Sequence, residues 1–105
     1  EAEKLLRDAK LLDQAGCFAI VLEKIPASLA KQVTESVSCP VIGIGAGNVT
    51  DGQVLVLHDM LGLNQGFKPK FLRQFGQLGE AVKQAVGQYI DAVKDSTFPN
   101  QEESY

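Results

Sequence analysis

Glu23 closes an unbroken apolar run, Cys17-Phe18-Ala19-Ile20-Val21-Leu22, and Pro26 follows shortly after. A carboxylate in this position is either a solvated strand end or a group that moves protons. In α/β folds ligands sit beyond the carboxyl ends of the strands, and the run puts Glu23 at such an end. Neighbours such as Phe18, Ile20 and Leu22 would desolvate the carboxylate and favour its neutral form, which raises its basicity. Such a group could take a proton from a carbon next to a carbonyl.

The other chemistry-bearing types are sparse. Gly43, Gly45 and Gly47 form a glycine-rich stretch, "GIGAG". A dinucleotide fingerprint, G-x-G-x-x-G, fails in both registers, because the third glycine falls on Asn48 or on Thr50. No Gly-Lys-Ser/Thr follows, so the stretch is not a P-loop. The glycines suit either a structural turn or a loop that lets a ligand approach the backbone. His58, followed by Asp59, is the single histidine of the chain. It either bonds a strand terminus or serves as acid/base, and nothing lies at metal-ligand spacing from it. Lys68 and Lys70 flank Pro69 and read as a solvated loop, and "QEES" near the end reads as solvent-facing or used in subunit contact.

The elements that must position these groups follow from hydrophobic periodicity. Ala2, Leu5, Leu6, Ala9 and Leu12 recur at helical spacing, and Gly16 suits the helix end. Residues 17–22 show no alternation, which predicts a parallel strand buried on both faces. Pro26 opens a second helix at its first position, carrying Leu29, Ala30, Val33 and Val37. Pro40 stops it, and strands follow at 41–45 and 54–58. Residues 46–53 are short for a parallel crossover, so the intervening helix is expected to have shrunk to about one turn. A long helix then carries Phe71, Phe75, Leu78, Val82, Ala85, Val86, Tyr89, Ile90 and Val93 on one side. The tail is polar and irregular. Alternating helices and buried strands predict an α/β fold, but too few strands to close a barrel.

Composition narrows the classes. The chain has 105 residues, 45% of them hydrophobic and 22% charged, which fits a globular protein. The net charge of -3 offers no basic patch and argues against a nucleic-acid partner. The apolar runs are too short for a membrane span. Cys17 and Cys39 lie in or beside apolar runs and read as small buried hydrophobes in a reducing compartment rather than as a disulfide. The start, Glu1-Ala2-Glu3-Lys4, is already helix-like and lacks an initiator Met and a visible signal peptide. The expectation is one partial domain over residues 1–105, cut from a longer chain, with open sheet edges and uncovered apolar surface.

Three segments, "FAIVLEKIPASLAKQVTESVSCPVIGIGAG", "DGQVLVLHDMLGLNQGFKPKF" and "FPNQEESY", together resemble the ketopantoate (3-methyl-2-oxobutanoate) hydroxymethyltransferase family. The resemblance runs from about residue 9 to the end and is to the C-terminal two-fifths or so of the family's chain. "GIGAG…DGQVLVLHD" at this spacing is specific to it. The resemblance implies the C-terminal portion of a (β/α)8 TIM barrel, about strands 6–8 with flanking helices.

It further implies transfer of a hydroxymethyl group from methylenetetrahydrofolate to 3-methyl-2-oxobutanoate. The product is ketopantoate, for pantothenate and coenzyme A. Glu23 matches the family's general base, which forms an enolate on a Mg²⁺-polarised keto acid. Gly45, Gly47 and His58 are the rim residues expected near the substrate. The family's metal ligands and substrate clamp fall outside this segment. No metal ligand is therefore expected here, and the segment alone should be inert. Lys24 and Phe67 stand where the family often has Cys and His. A cytoplasmic homo-oligomer is expected. The competing reading is a non-catalytic α/β oligomerisation or regulatory module.

Overall fold

A computed structural model of the chain describes residues 1–66 and 68–105. They fall into two compact units, Glu1–Val56 with Pro69–Leu72, and Leu57–Lys68 with Arg73–Tyr105. The first holds helices α1 (Ala2–Gln14) and α2 (Ala27–Ser36) and strands β1 (Ile20–Glu23), β2 (Val41–Ile44) and β3 (Gly52–Gln53). The strands form one sheet in the order β1-β2-β3, with both pairings parallel. The α/β expectation holds.

Helix α1 ends as its glycine predicts. Gly16 takes φ +91, its N–H donates to Asp13 O, and the Cys17 N–H donates to Leu12 O. This left-handed exit satisfies the last carbonyls of the helix. It also consumes Cys17, so β1 begins at Ile20 rather than at residue 17. Pro26 acts as the N-cap of α2, one position before the helix proper.

Sheet burial differs from expectation. Ile20 and Leu22 are buried, whereas Val21 and Glu23 are exposed. The core consists of Ala9, Ile20, Leu22, Ala30, Val33, Val41 and Ala46, with Leu5, Leu6, Ile25 and Val37 packed against it. Helices thus cover one face of the sheet, and the unbroken apolar run is not buried on both. Val33 and Val41 are fully buried, and each such side chain contributes roughly 1.5–3 kcal/mol.

At the amino ends of the strands, Asp13 ties α1 to the turn before β2. Its carboxylate accepts hydrogen bonds from the Ser38 N–H (2.9 Å), the Ser38 hydroxyl (2.9 Å) and the Cys39 N–H (3.0 Å). The backbone bond from Ser38 leads in lowering the Asp13 pKa below its ordinary 3.8. Cys17 and Cys39 are free and half-buried, less sheltered than the sequence suggests.

The crossover from β2 to β3 is parallel, as expected, but residues 45–51 contain bends and no helical turn. Side chains do the work of the missing helix. Asp51 accepts from the Val41 N–H (2.8 Å), Thr50 Oγ1 donates to Gly52 O (2.8 Å), and Gln53 Nε2 donates to Gly47 O (2.8 Å).

The strand expected at 54–58 is not there. β3 is Gly52–Gln53, extended only by the Val54 N–H donating to Gly43 O (3.0 Å), and Leu57–Met60 is a short helix, α3. A β-branched run becomes a strand only where a neighbour pairs with it and a layer covers it. Val54 and Val56 are half-exposed, and past Val54 the ladder ends.

In the second unit, α4 (Leu78–Lys94) begins later than the periodicity suggests. Backbone bonds from Phe75 to Met60 O (2.8 Å) and from Leu78 to Leu61 O (2.9 Å) hold the preceding residues in a non-helical path. Phe71 belongs to the first unit. No residue of α4 is buried, and Leu78, Val82, Val86, Tyr89, Ile90 and Val93 form an uncovered stripe. Phe98 returns to Tyr89 in an edge-to-face pair at 5.6 Å. The tail forms a local turn in which Asn100 Oδ1 accepts from the Glu102 N–H (2.8 Å) and Glu103 Oε2 accepts from the Asn100 N–H (2.8 Å).

A chain with this much uncovered apolar surface associates when alone. Expressed by itself, the 105-residue chain should bind a hydrophobic dye and elute as multimers or aggregate. A dye-silent monomer with a sharp thermal transition would contradict this.

Candidate functional site

The site is built at the carboxyl ends of β1 and β2. Register pairs Val21 with Ile42 and Glu23 with Ile44. Paired residues of neighbouring strands point to the same face, and alternate residues to opposite faces. Glu23 therefore shares the face opposite α1 and α2 with Val21, Ile42 and Ile44, while Ile20, Leu22 and Val41 point to the helices. The desolvation expected from Ile20 and Leu22 does not occur, because they lie on the other side of the sheet, and Phe18 is 92% exposed. Glu23 itself is exposed, and among the described residues no ion pair joins it to Lys24.

The backbone turns sharply after this pair. Lys24 adopts φ 52, a left-handed conformation uncommon outside glycine. Its N–H donates to Ile44 O at 2.9 Å, the last rung between β1 and β2. One residue further, Gly45 takes φ +65, and Gly47 takes φ +79. Both glycines are favoured by φ, and packing excludes a side chain at Gly47 and crowds one at Gly45. A Cβ on Gly45 would lie 3.0 Å from the Phe71 ring, and one on Gly47 would lie 2.5 Å from the Ala27 Cβ. The structural half of the open reading of "GIGAG" is thus accounted for.

His58 and Asp59 are not at a strand end. They lie on α3 in the second unit, where His58 is exposed and Asp59 is 8% exposed. Asp59 accepts from Asn64 Nδ2 at 2.7 Å, a bond that closes the following turn. Lys68 and Lys70 are exposed, as a solvated loop requires. Phe67 lies outside the described residues. Among the described residues, no three of His, Cys, Asp or Glu converge as metal ligands would, and no helix is long and apolar enough to cross a membrane. The sequence reading put Phe71 on the last helix and gave no role to Asp51, Thr50 or Gln53. Their signal was the short crossover, whose backbone groups need side-chain partners once no helix satisfies them.

A family model described as ketopantoate hydroxymethyltransferase matches residues 1–101. The chain belongs to the ketopantoate hydroxymethyltransferase family. It is 60% identical over all 105 residues to the 3-methyl-2-oxobutanoate hydroxymethyltransferase of Parabacteroides distasonis, of which it covers 38%. It is likewise 60% identical to that of Flavobacterium johnsoniae, covering 39%, and 59% identical to that of Prosthecochloris aestuarii, covering 38%. The chain spans about two-fifths of the length of these hydroxymethyltransferases.

The crowding at Gly47 gives a test within the family. In the P. distasonis enzyme carrying this chain in place of its aligned residues, Gly47→Ala adds left-handed strain of about 1–2 kcal/mol and a clash with Ala27. The midpoint of urea unfolding should fall accordingly. An unchanged midpoint would contradict the packing role.

Proposed function

We propose that this chain supplies the proton-abstracting part of a hydroxymethyltransferase, with Glu23 as general base. The observation that carries this reading is the position of Glu23. It stands at the carboxyl end of a parallel strand, on the face opposite α1 and α2, in register with Ile44 and beside Val21 and Ile42. In a (β/α)8 barrel, helices cover the outer face of the sheet and the other face turns inward. Three consecutive parallel strands with helices on one side fit a stretch of such a barrel. The remaining three-fifths of a relative's chain would cover the inner face and pair the open edges.

The reaction proposed for the whole protein is the one its relatives are named for. Glu23 would take the proton at C3 of 3-methyl-2-oxobutanoate. The C–H electron pair passes into the enolate and then forms the new C–C bond to the one-carbon unit of methylenetetrahydrofolate. The two C–N bonds that held that carbon break with protons passing to the folate nitrogens, water supplies the hydroxyl oxygen, and ketopantoate and tetrahydrofolate result. The apolar neighbours Val21, Ile42 and Ile44 would exclude water from the carboxylate once the face is covered. A bound Mg²⁺ would polarise the keto acid. The described residues hold no cluster of three metal ligands, so its ligands would come from the rest of a full-length enzyme. Gly45 and its neighbour Gly47 would bring backbone close to the substrate, and His58 of the second unit would lie on the substrate rim. A cytoplasmic homo-oligomer rests on the family resemblance, and the uncovered stripe on α4 is consistent with further packing. A purely non-catalytic module is disfavoured, since nearly the whole chain matches a transferase family.

In the P. distasonis graft described above, Glu23→Gln should slow exchange of the C3 proton in heavy water by about 100-fold or more. Keto acid binding should stay within about twofold, because the amide preserves shape and removes only basicity. Exchange at the parent rate would overturn the assignment.

A further inference from the structure

Phe71 carries an inference of its own. The segment Pro69–Leu72 clusters with Glu1–Val56, although the residues on either side of it group with the second unit. It is held in a tight turn by the Leu72 N–H donating to Pro69 O (3.0 Å). Phe71 is half-buried, and its ring rests on Gly45. A Cβ built there would be 3.0 Å from Cδ1 and Cγ of the ring and 3.3 Å from the Phe71 Cβ. Those distances are tighter than ordinary van der Waals contact, so a side chain at this position would push the ring back by a few tenths of an ångström.

Gly45 is also where β2 leaves the sheet. The residue before it, Ile44, pairs with Glu23 and accepts the last rung from the Lys24 N–H. Both strands thus exit side by side through left-handed residues, Lys24 at φ 52 and Gly45 at φ +65. Lys24 is held there at a steric cost, whereas Gly45 adopts φ > 0 freely and has many other conformations open to it unless a neighbour narrows them. On the β2 side, the Phe71 ring is the group that does so. If the ring is lost, Gly45 regains its conformational freedom, the last rung frays, and the backbone that carries Glu23 loses its fixed end.

We propose that Phe71 is a positioning residue for Glu23, acting through Gly45 and the Lys24–Ile44 rung. This rests on Glu23 being the base. The test uses the same graft, with Phe71→Ala, Phe71→Leu and Glu23→Gln compared per folded enzyme. Phe71→Ala should lower kcat for C3-proton exchange about tenfold, as a small misplacement of a catalytic group does. KM for the keto acid should move less than about twofold, and the acid limb of the pH profile should stay in place. Phe71→Leu, which keeps most of the apolar volume, should recover most of the rate. If Phe71→Ala does not fold, Phe71→Val carries the same comparison. Parent kcat in the folded alanine or valine variant, or a rise in KM with kcat retained, overturns the proposal. Loss of exchange in Glu23→Gln alongside parent rate in Phe71→Ala overturns positioning alone. Retained exchange in Glu23→Gln overturns the base assignment and this proposal with it.

Discussion

The first unit depends on a parallel sheet that α1 and α2 cover on one face. Ile20, Leu22 and Val41 bury against α1 and α2, and this face holds the first unit together. Strand alternation then puts Val21, Glu23, Ile42 and Ile44 on the other face without further instruction. A register slip of one residue would turn Glu23 into the helical layer and expose Leu22. The burial of three aliphatic side chains therefore decides where the carboxylate points. The same constraint leaves β1 with an unpaired edge and β3 with a ladder that stops at Val54, so the sheet is complete only with further strands beside it.

The two ends of the sheet are built differently. At the amino ends, the Asp13 carboxylate gathers backbone donors of Ser38 and Cys39 and locks α1 to the strand that follows α2. The Val41 N–H is satisfied from the far side of the crossover by Asp51. Both carboxylates are thereby committed to backbone donors. The carboxyl ends instead combine an uncommitted carboxylate, two left-handed exits and an aromatic ring on a glycine. Barrel enzymes divide stability and function between their two ends in the same way.

Much of this was legible in the sequence where the determinant was local. Gly16 announced the end of α1 because a left-handed residue is needed there, and the Val41–Ile44 strand followed from its apolar run between Pro40 and glycines. The parallel pairing across a short crossover was also readable. What was not legible depended on partners distant in the chain. An unbroken apolar run suggested burial on both faces, yet Val21 is 60% exposed, because α1 and α2 pack on the opposite face. The run at 54–58 has strand composition, but without a continuing ladder its second half is helical. His58 lost its strand-end position for that reason. Phe71 matched the helical period of α4, but packing on Gly45 outweighed it. Glu23 was found by its place after an apolar run, while its face, its partner Ile44 and the turn at Lys24 needed the register.

On the proposed reading, the open face of this sheet carries the base, Glu23. The most direct measurement is complementation. The 105-residue chain is refolded together with the remaining part of the P. distasonis relative, in the presence of Mg²⁺ and 3-methyl-2-oxobutanoate. The mixture should form a one-to-one complex with a single cooperative melt, and it should exchange the C3 proton in heavy water as neither part does alone. Two species that remain separate, or a stable complex that exchanges no proton, would contradict the account.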